Sequence, residues 1–194
     1  KSYTAELLTL WLVVQAILGE DASVAAPVPH AAAALVDRAE EVAALAARYR
    51  FTDRIVLTGR GYSFPTALEG ALKLMETSYV AAHAFSGADL LHGPLAMIDS
   101  DHPVLAVVPP GVGETAMRRV LERLRERGAD LTVLGGPASL ELATVGMDLG
   151  HALREDLAPL VDVIPLQQLA LRTAVARGSD PDRPRGLSKV TETW

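Results

Sequence analysis

The chain has 194 residues, 49% hydrophobic but only 5% aromatic, and a net charge of -6. That length and apolar content suit one well-buried globular domain with a core of Ala, Leu and Val. The absence of cysteine excludes disulfides, thiolate nucleophiles and cysteine-based zinc sites, and the acidic balance without a basic block argues against nucleic acid as a partner.

The first predicted element is a helix over Ser2–Leu18, with Ser2 or Thr4 as N-cap, Glu6 near its positive end and Gly19 as its stop. Its apolar run, Leu7–Leu18, is only twelve residues long. At about 1.5 Å per residue it cannot span a bilayer, and no small-residue cleavage site follows as in a signal peptide. No membrane partner is expected, and a cytoplasmic location fits. Asp21–Pro29 is a polar connection, and His30–Arg50 reads as a second, alanine-rich amphipathic helix.

Asp53–Gly61 is a short apolar run that ends in glycines and leads into a helix, the opening of a βα unit in a parallel sheet. Gly59-Arg60-Gly61 suits either a tight strand-to-helix turn or an anion cradle at a helix N-terminus. The next helix runs to about Val80. Ala81–Ser86 reads as a short strand, Gly87–Pro94 as a loop or single helical turn, and Leu95–Asp99 as an apolar closing segment.

Pro103–Pro109 reads as a buried strand, Thr115–Gly128 as a charged amphipathic helix, Leu131–Leu134 as a strand, Val145–Leu149 as an edge strand, and Leu157–Arg177 as a long helix. Strand–helix alternation after two opening helices implies a three-layer αβα sandwich with a parallel sheet. In such sheets ligands sit beyond the carboxyl ends of the strands. The last stretch, Ser179–Trp194, has a different composition, and Pro181 and Pro184 forbid a continuous helix there; its residues suit either a coil that folds back over the cleft or a disordered tail.

The stretch Ala67–His92 carries the candidate chemistry. Glu69, Lys73 and Glu76 are spaced by four and then three residues, so they share one narrow arc of a mostly apolar helix. Buried charge is costly unless paired, so the stripe suits a cleft. His92 follows sixteen residues after Glu76, in Leu-His-Gly-Pro. A carboxylate, an ammonium and an imidazole are the right groups for moving protons on a sugar. The plainer alternatives are a capping box in Thr66-Ala-Leu-Glu69, an ion pair between Lys73 and Glu76, and a structural His92. No cofactor or metal-ligand set is read in the sequence.

Gly59-Arg-Gly61, Ala67-Leu-Glu-Gly-Ala-Leu-Lys-Leu74, Leu91-His-Gly-Pro-Leu-Ala96, Asp180-Pro-Asp-Arg-Pro-Arg185 and Leu187-Ser-Lys189 together resemble the sugar isomerase (SIS) domain family. The resemblance is to the second SIS half of enzymes of the glucosamine-6-phosphate synthase type and to related phosphosugar isomerases and deaminases. It implies an SIS fold and an aldose–ketose isomerisation of a sugar phosphate. Glu76 would be the acid/base carboxylate between carbons 1 and 2, and Lys73 would lie beside it. Lys189 would meet the carbonyl, with Ser188, Glu69 and Arg60 as further sugar contacts. His92 would assist ring opening from across a homodimer interface.

The resemblance also implies a division of the chain. Residues 1–50 would lead from an upstream SIS domain, 51–178 would form the SIS domain, and 179–194 would fold back over the site. The family's Ser/Thr-rich phosphate loop is missing from this chain, so it would be inactive alone. The ending Ser-Lys-Val-Thr-Glu-Thr is closer to the isomerase and deaminase members. A deaminase, a non-catalytic sugar-phosphate sensor and a dimerisation half are the competing functions.

Overall fold

The computed structural model describes residues 2–186; Ser188 and Lys189 lie outside the described residues. The order is α1 (Ser2–Leu18), α2 (Val28–Val36), α3 (Ala39–Arg48), β1 (Arg54–Gly59), α4 (Ser63–Ser78), β2 (Ala81–Ser86), α5 (Gly87–Leu91), β3 (Pro103–Val108), α6 (Val112–Glu126), β4 (Asp130–Gly135), α7 (Pro137–Leu140), β5 (Val145–Asp148) and α8 (Pro159–Ala176). Two short 3₁₀ turns, Ala22–Ala25 and Pro94–Met97, lie between them.

The five strands form one sheet in the order β2-β1-β3-β4-β5, and every pairing is parallel. Strands covered on both faces must be apolar almost throughout, which is why β1, β3 and β4 read as nearly continuous apolar runs. Alternate residues feed two cores. Ile55, Leu57, Leu105, Val107 and Leu134 face a core shared with α1–α4 and α8, while Val56, Val104, Ala106, Leu131 and Val133 face one shared with α5 and α6. The sandwich therefore has α4 on one face and α5 on the other.

Two expectations change. The alanine-rich stretch is two helices, broken at Asp37 and Arg38. Arg38 leaves helical geometry there; its guanidinium bonds the Asp148 carbonyl at the end of β5 and pairs with Glu41 at 2.7 Å. Apolar periodicity carries across such a break, so the sequence does not show it. The first helix already includes Ser2, so Ser2 and Thr4 both lie inside it and neither is its N-cap.

Two buried polar contacts tie neighbouring elements together. The buried Tyr49 hydroxyl, after α3, lies 2.5 Å from Thr132 Oγ1, and burial pushes its pKa up to about 12. His151 Nε2, in the loop after β5, lies 2.7 Å from Asp162 Oδ1 in the first turn of α8, and both side chains are buried.

Gly70 lies where α4 meets β1 and α8. A Cβ there would sit 2.9 Å from Leu166 Cδ1 and 3.0 Å from Leu57 Cδ2. Gly70→Val should therefore overpack this contact and cost about 1–3 kcal/mol. The expected result is a lower urea midpoint with an unchanged m-value; an unmoved midpoint would show that the two leucines yield freely.

Candidate functional site

The site is built on α4. The chain enters it through a turn that needs glycine twice. A Cβ on Gly59 would lie 2.6 Å from the Ser63 carbonyl oxygen, and Gly61 has φ +58°. The Ser63 and Phe64 amides donate to the Arg60 and Gly61 carbonyls, at 3.2 Å each. These amides are engaged within the turn, which favours the tight-turn alternative over an anion cradle.

The neighbouring helix start is engaged too: the Glu155 carboxylate accepts the amides of Val112 at 3.2 Å and Gly113 at 2.9 Å. So the crevice between β1 and β3, where the strand order reverses and open sheets usually hold ligands, is occupied by the protein's own turns and carboxylate. Arg60 stands exposed at this end.

Thr66 lies inside α4 and is buried, and the N-cap residue, Tyr62, makes no side-chain capping bond. The capping-box alternative is therefore overturned, and Glu69 is left to the charged stripe. Lys73 Nζ lies 2.7 Å from Glu76 Oε2 and 3.7 Å from Glu69 Oε1. The Glu69 side chain is 12% exposed and those of Lys73 and Glu76 are 31% exposed, so the stripe is half-sunk and reachable.

Burial pulls the Lys73 pKa down, but the Glu76 hydrogen bond and the charges of both glutamates outweigh it, and the net shift is upward. Lys73 is thus held as an ammonium. Tyr3, at the start of α1, joins this corner. Its phenol pKa is raised first by burial, against the pull of the Thr66 hydroxyl, with the Glu69 charge adding to the rise. No motif marks Tyr3 in the sequence; only the tertiary fold brings the start of α1 to Thr66 and Glu69.

A carboxylate next to a fixed cation can remove a proton beside a carbonyl and stabilise the oxyanion that forms.

His92 is not part of this cluster. It is the exposed C-cap of α5, and its amide donates to the Asp89 carbonyl at 3.0 Å. α5 packs on the opposite face of the sheet from α4. The two residues also sit at opposite ends. Ser86 is level with Gly59 at the carboxyl end of the sheet, whereas α4 runs from that end towards the start of β2 and carries Glu76 about 20 Å along its axis. Within one chain the structure brings together Glu69, Lys73 and Glu76, and leaves Arg60 and His92 apart from them.

A five-stranded parallel sheet between helical layers, with an ion-paired stripe on one helix, defines a three-layer α/β protein of the flavodoxin-like kind. The SIS domain family matches residues 49–177, and the chain belongs to that family. Over 97% of its length it is 36% identical to glutamine–fructose-6-phosphate aminotransferase (isomerizing) of Escherichia coli K12, and it spans 33% of that protein, about a third of the relatives' length. The C-terminal domain of glucosamine-fructose-6-phosphate aminotransferase from Francisella tularensis is 32% identical, with a TM-score of 0.70 over 77% of this chain and 43% of that one. Glucosamine-6-phosphate deaminase from Thermotoga maritima shares the fold, with a TM-score of 0.75 at 24% identity over 97% of this chain and 55% of that one. Among the described residues no helix is long and apolar enough to cross a membrane.

Proposed function

We propose that this chain is the C-terminal SIS half of a phosphosugar isomerase of the glucosamine-6-phosphate synthase type, acting on a hexose 6-phosphate or an amino-sugar 6-phosphate. The observation that carries the reading is the Glu69–Lys73–Glu76 stripe, in a chain whose relatives include aminotransferases named as isomerizing. Glu76 takes the proton from one of carbons 1 and 2 and returns it to the other. The Lys73 ammonium and the Lys189 side chain hold the enediolate charge that develops in between. Glu69 keeps Lys73 charged, and Ser188 contributes to holding the sugar phosphate; Arg60, beyond the opposite end of α4 from Glu76, is left out of this chain's own site.

His92 assists ring opening in a neighbouring protomer's site, which agrees with its separation from Glu76 within one chain. Exposed apolar side chains support a working homodimer and a second SIS unit packed alongside. On α4, Leu68, Leu72 and Met75 are 47%, 41% and 43% exposed, and Ile17 and Leu18 of α1 are 78% and 65% exposed. Faces of this kind mark protein interfaces. Residues 1–50 would then lead in from that second unit, and the stretch after residue 178 would cover the site.

The test is incubation of the natural full-length protein with fructose 6-phosphate and glucosamine 6-phosphate. Aldose–ketose interconversion is expected. Release of ammonia from the amino sugar would favour deamination, the alternative that the Ser-Lys-Val-Thr-Glu-Thr ending suggests. Saturable binding without turnover of either would overturn the enzymatic reading in favour of a sensor.

A further inference from the structure

α6 begins at the crevice between β1 and β3, and its first two amides hold a carboxylate by both oxygens. Val112 donates to Glu155 Oε2 at 3.2 Å and Gly113 to Glu155 Oε1 at 2.9 Å. The backbone makes room for this group. A Cβ on Gly113 would lie 2.7 Å from Glu155 Oε1, and one on Gly111 would lie 3.1 Å from Glu155 Cδ. Glu155 stands 42 residues beyond Gly113 in the chain, so it is not a local cap of the helix.

The crevice holds more than a helix start. Thr58 is fully buried, and its hydroxyl has no hydrogen-bond partner. It follows Val56 by two residues on β1 and is level with Ala106 of β3, so it faces the same side of the sheet as α6. Buried hydroxyls are normally partnered, and this one is left over with Glu155 at the mouth above it. Arg60 and Ser63 line the crevice from the β1 side, and the space left beside Glu155 is too tight for a water molecule. Two amides at a helix start, an arginine and a free hydroxyl are the groups that bind an oxyanion.

Glu155 is held in place from both sides. Before it, His151 Nε2 lies 2.7 Å from Asp162 Oδ1. After it, the Asp156 carboxylate accepts Trp11 Nε1–H at 2.8 Å and pairs with Arg154 at 2.5 Å. A tethered carboxylate competes with any free anion at an effective concentration of about millimolar or more. We propose that Glu155 is a resident stand-in for a phosphate group: it fills an oxyanion site in the β1–β3 crevice and so turns phosphate-bearing ligands away from this end of the sheet.

The experiment compares the natural full-length protein with its Glu155→Ala variant in equilibrium dialysis against radiolabelled inorganic phosphate. The variant is expected to take up one phosphate per chain more than wild type, at an affinity at least about ten-fold above that of the plugged crevice. Its thermal midpoint should also rise more steeply with phosphate than that of wild type. Adding Gly113→Ala to Glu155→Ala puts a methyl group where the oxyanion would sit, and should abolish the gain. Glu155→Ser, which also removes the carboxylate, serves if Glu155→Ala fails to fold. Equal phosphate uptake by wild type and the folded variant would overturn the proposal, and so would a gain that survives Gly113→Ala. Turnover is not measured, so the outcome is independent of the role given to Glu76.

Discussion

Replacing Glu76 by glutamine in the natural full-length protein should lower aldose–ketose isomerisation by about 10²–10⁴-fold, the range in which a positioned general base contributes. Glutamine keeps the size of the side chain and can still accept a bond from Lys73, but it cannot take a proton. Stability should change little, because the Lys73–Glu76 pair is about one-third exposed and such pairs contribute little net free energy. The loss should fall on kcat with KM nearly constant, since proton transfer is felt in the transition state and not in the bound sugar. Deuterium uptake into the sugar from heavy water is the direct measurement. Exchange at the wild-type rate would remove Glu76 from the mechanism.

The second large effect concerns stability. His151→Ala should cost about 3–5 kcal/mol, because it strips a donor from a carboxylate with no exposed surface. For a chain of this size that is a fall of roughly 10 °C in thermal midpoint. The wild-type pair is already poised against burial. Burial pushes the Asp162 carboxyl pKa above its ordinary value of 3.8, against the pull of the His151 bond and charge. The folded state therefore holds the Asp162 proton more tightly than the unfolded chain does. Its contribution to stability is complete below the ordinary pKa and is lost as pH rises through the raised one.

Without His151 the carboxylate is worse off still. The deficit against wild type should be widest at neutral pH and narrow as the solution is acidified. Pairing His151→Ala with Asp162→Leu should recover much of the loss, since no charge then remains buried. A single variant within about 1 kcal/mol of wild type, the ordinary worth of one hydrogen bond, would show that water reaches Asp162.

The comparison of Arg38 with Lys73 shows what is legible in a sequence. Lys73 bonds three and four residues away on its own helix, so helical spacing alone places it between the two glutamates. Arg38 reaches the Asp148 carbonyl, 110 residues on, and nothing local announces that the helix must break to let it. The same distinction separates Thr66 from Glu69. Their spacing satisfied a capping box, but the helix begins at Ser63, because the Gly59–Tyr62 turn closes earlier than the box required.

By itself the sequence determined the layered α/β architecture, the strands β1 to β5 and the charged stripe of α4. These follow from short apolar runs and period-3.6 patterning within single elements, and the family resemblance followed from contiguous motifs. Only the tertiary structure decided which groups meet. It set Tyr3 beside Glu69, filled the β1–β3 crevice with Glu155, tied Arg185 to Tyr79, buried Asp162 against His151 and sent His92 to the opposite face from Glu76. The physical reason is that such encounters depend on strand order and helix placement, which are fixed by burial of the whole chain and leave no periodic trace in any one segment of it.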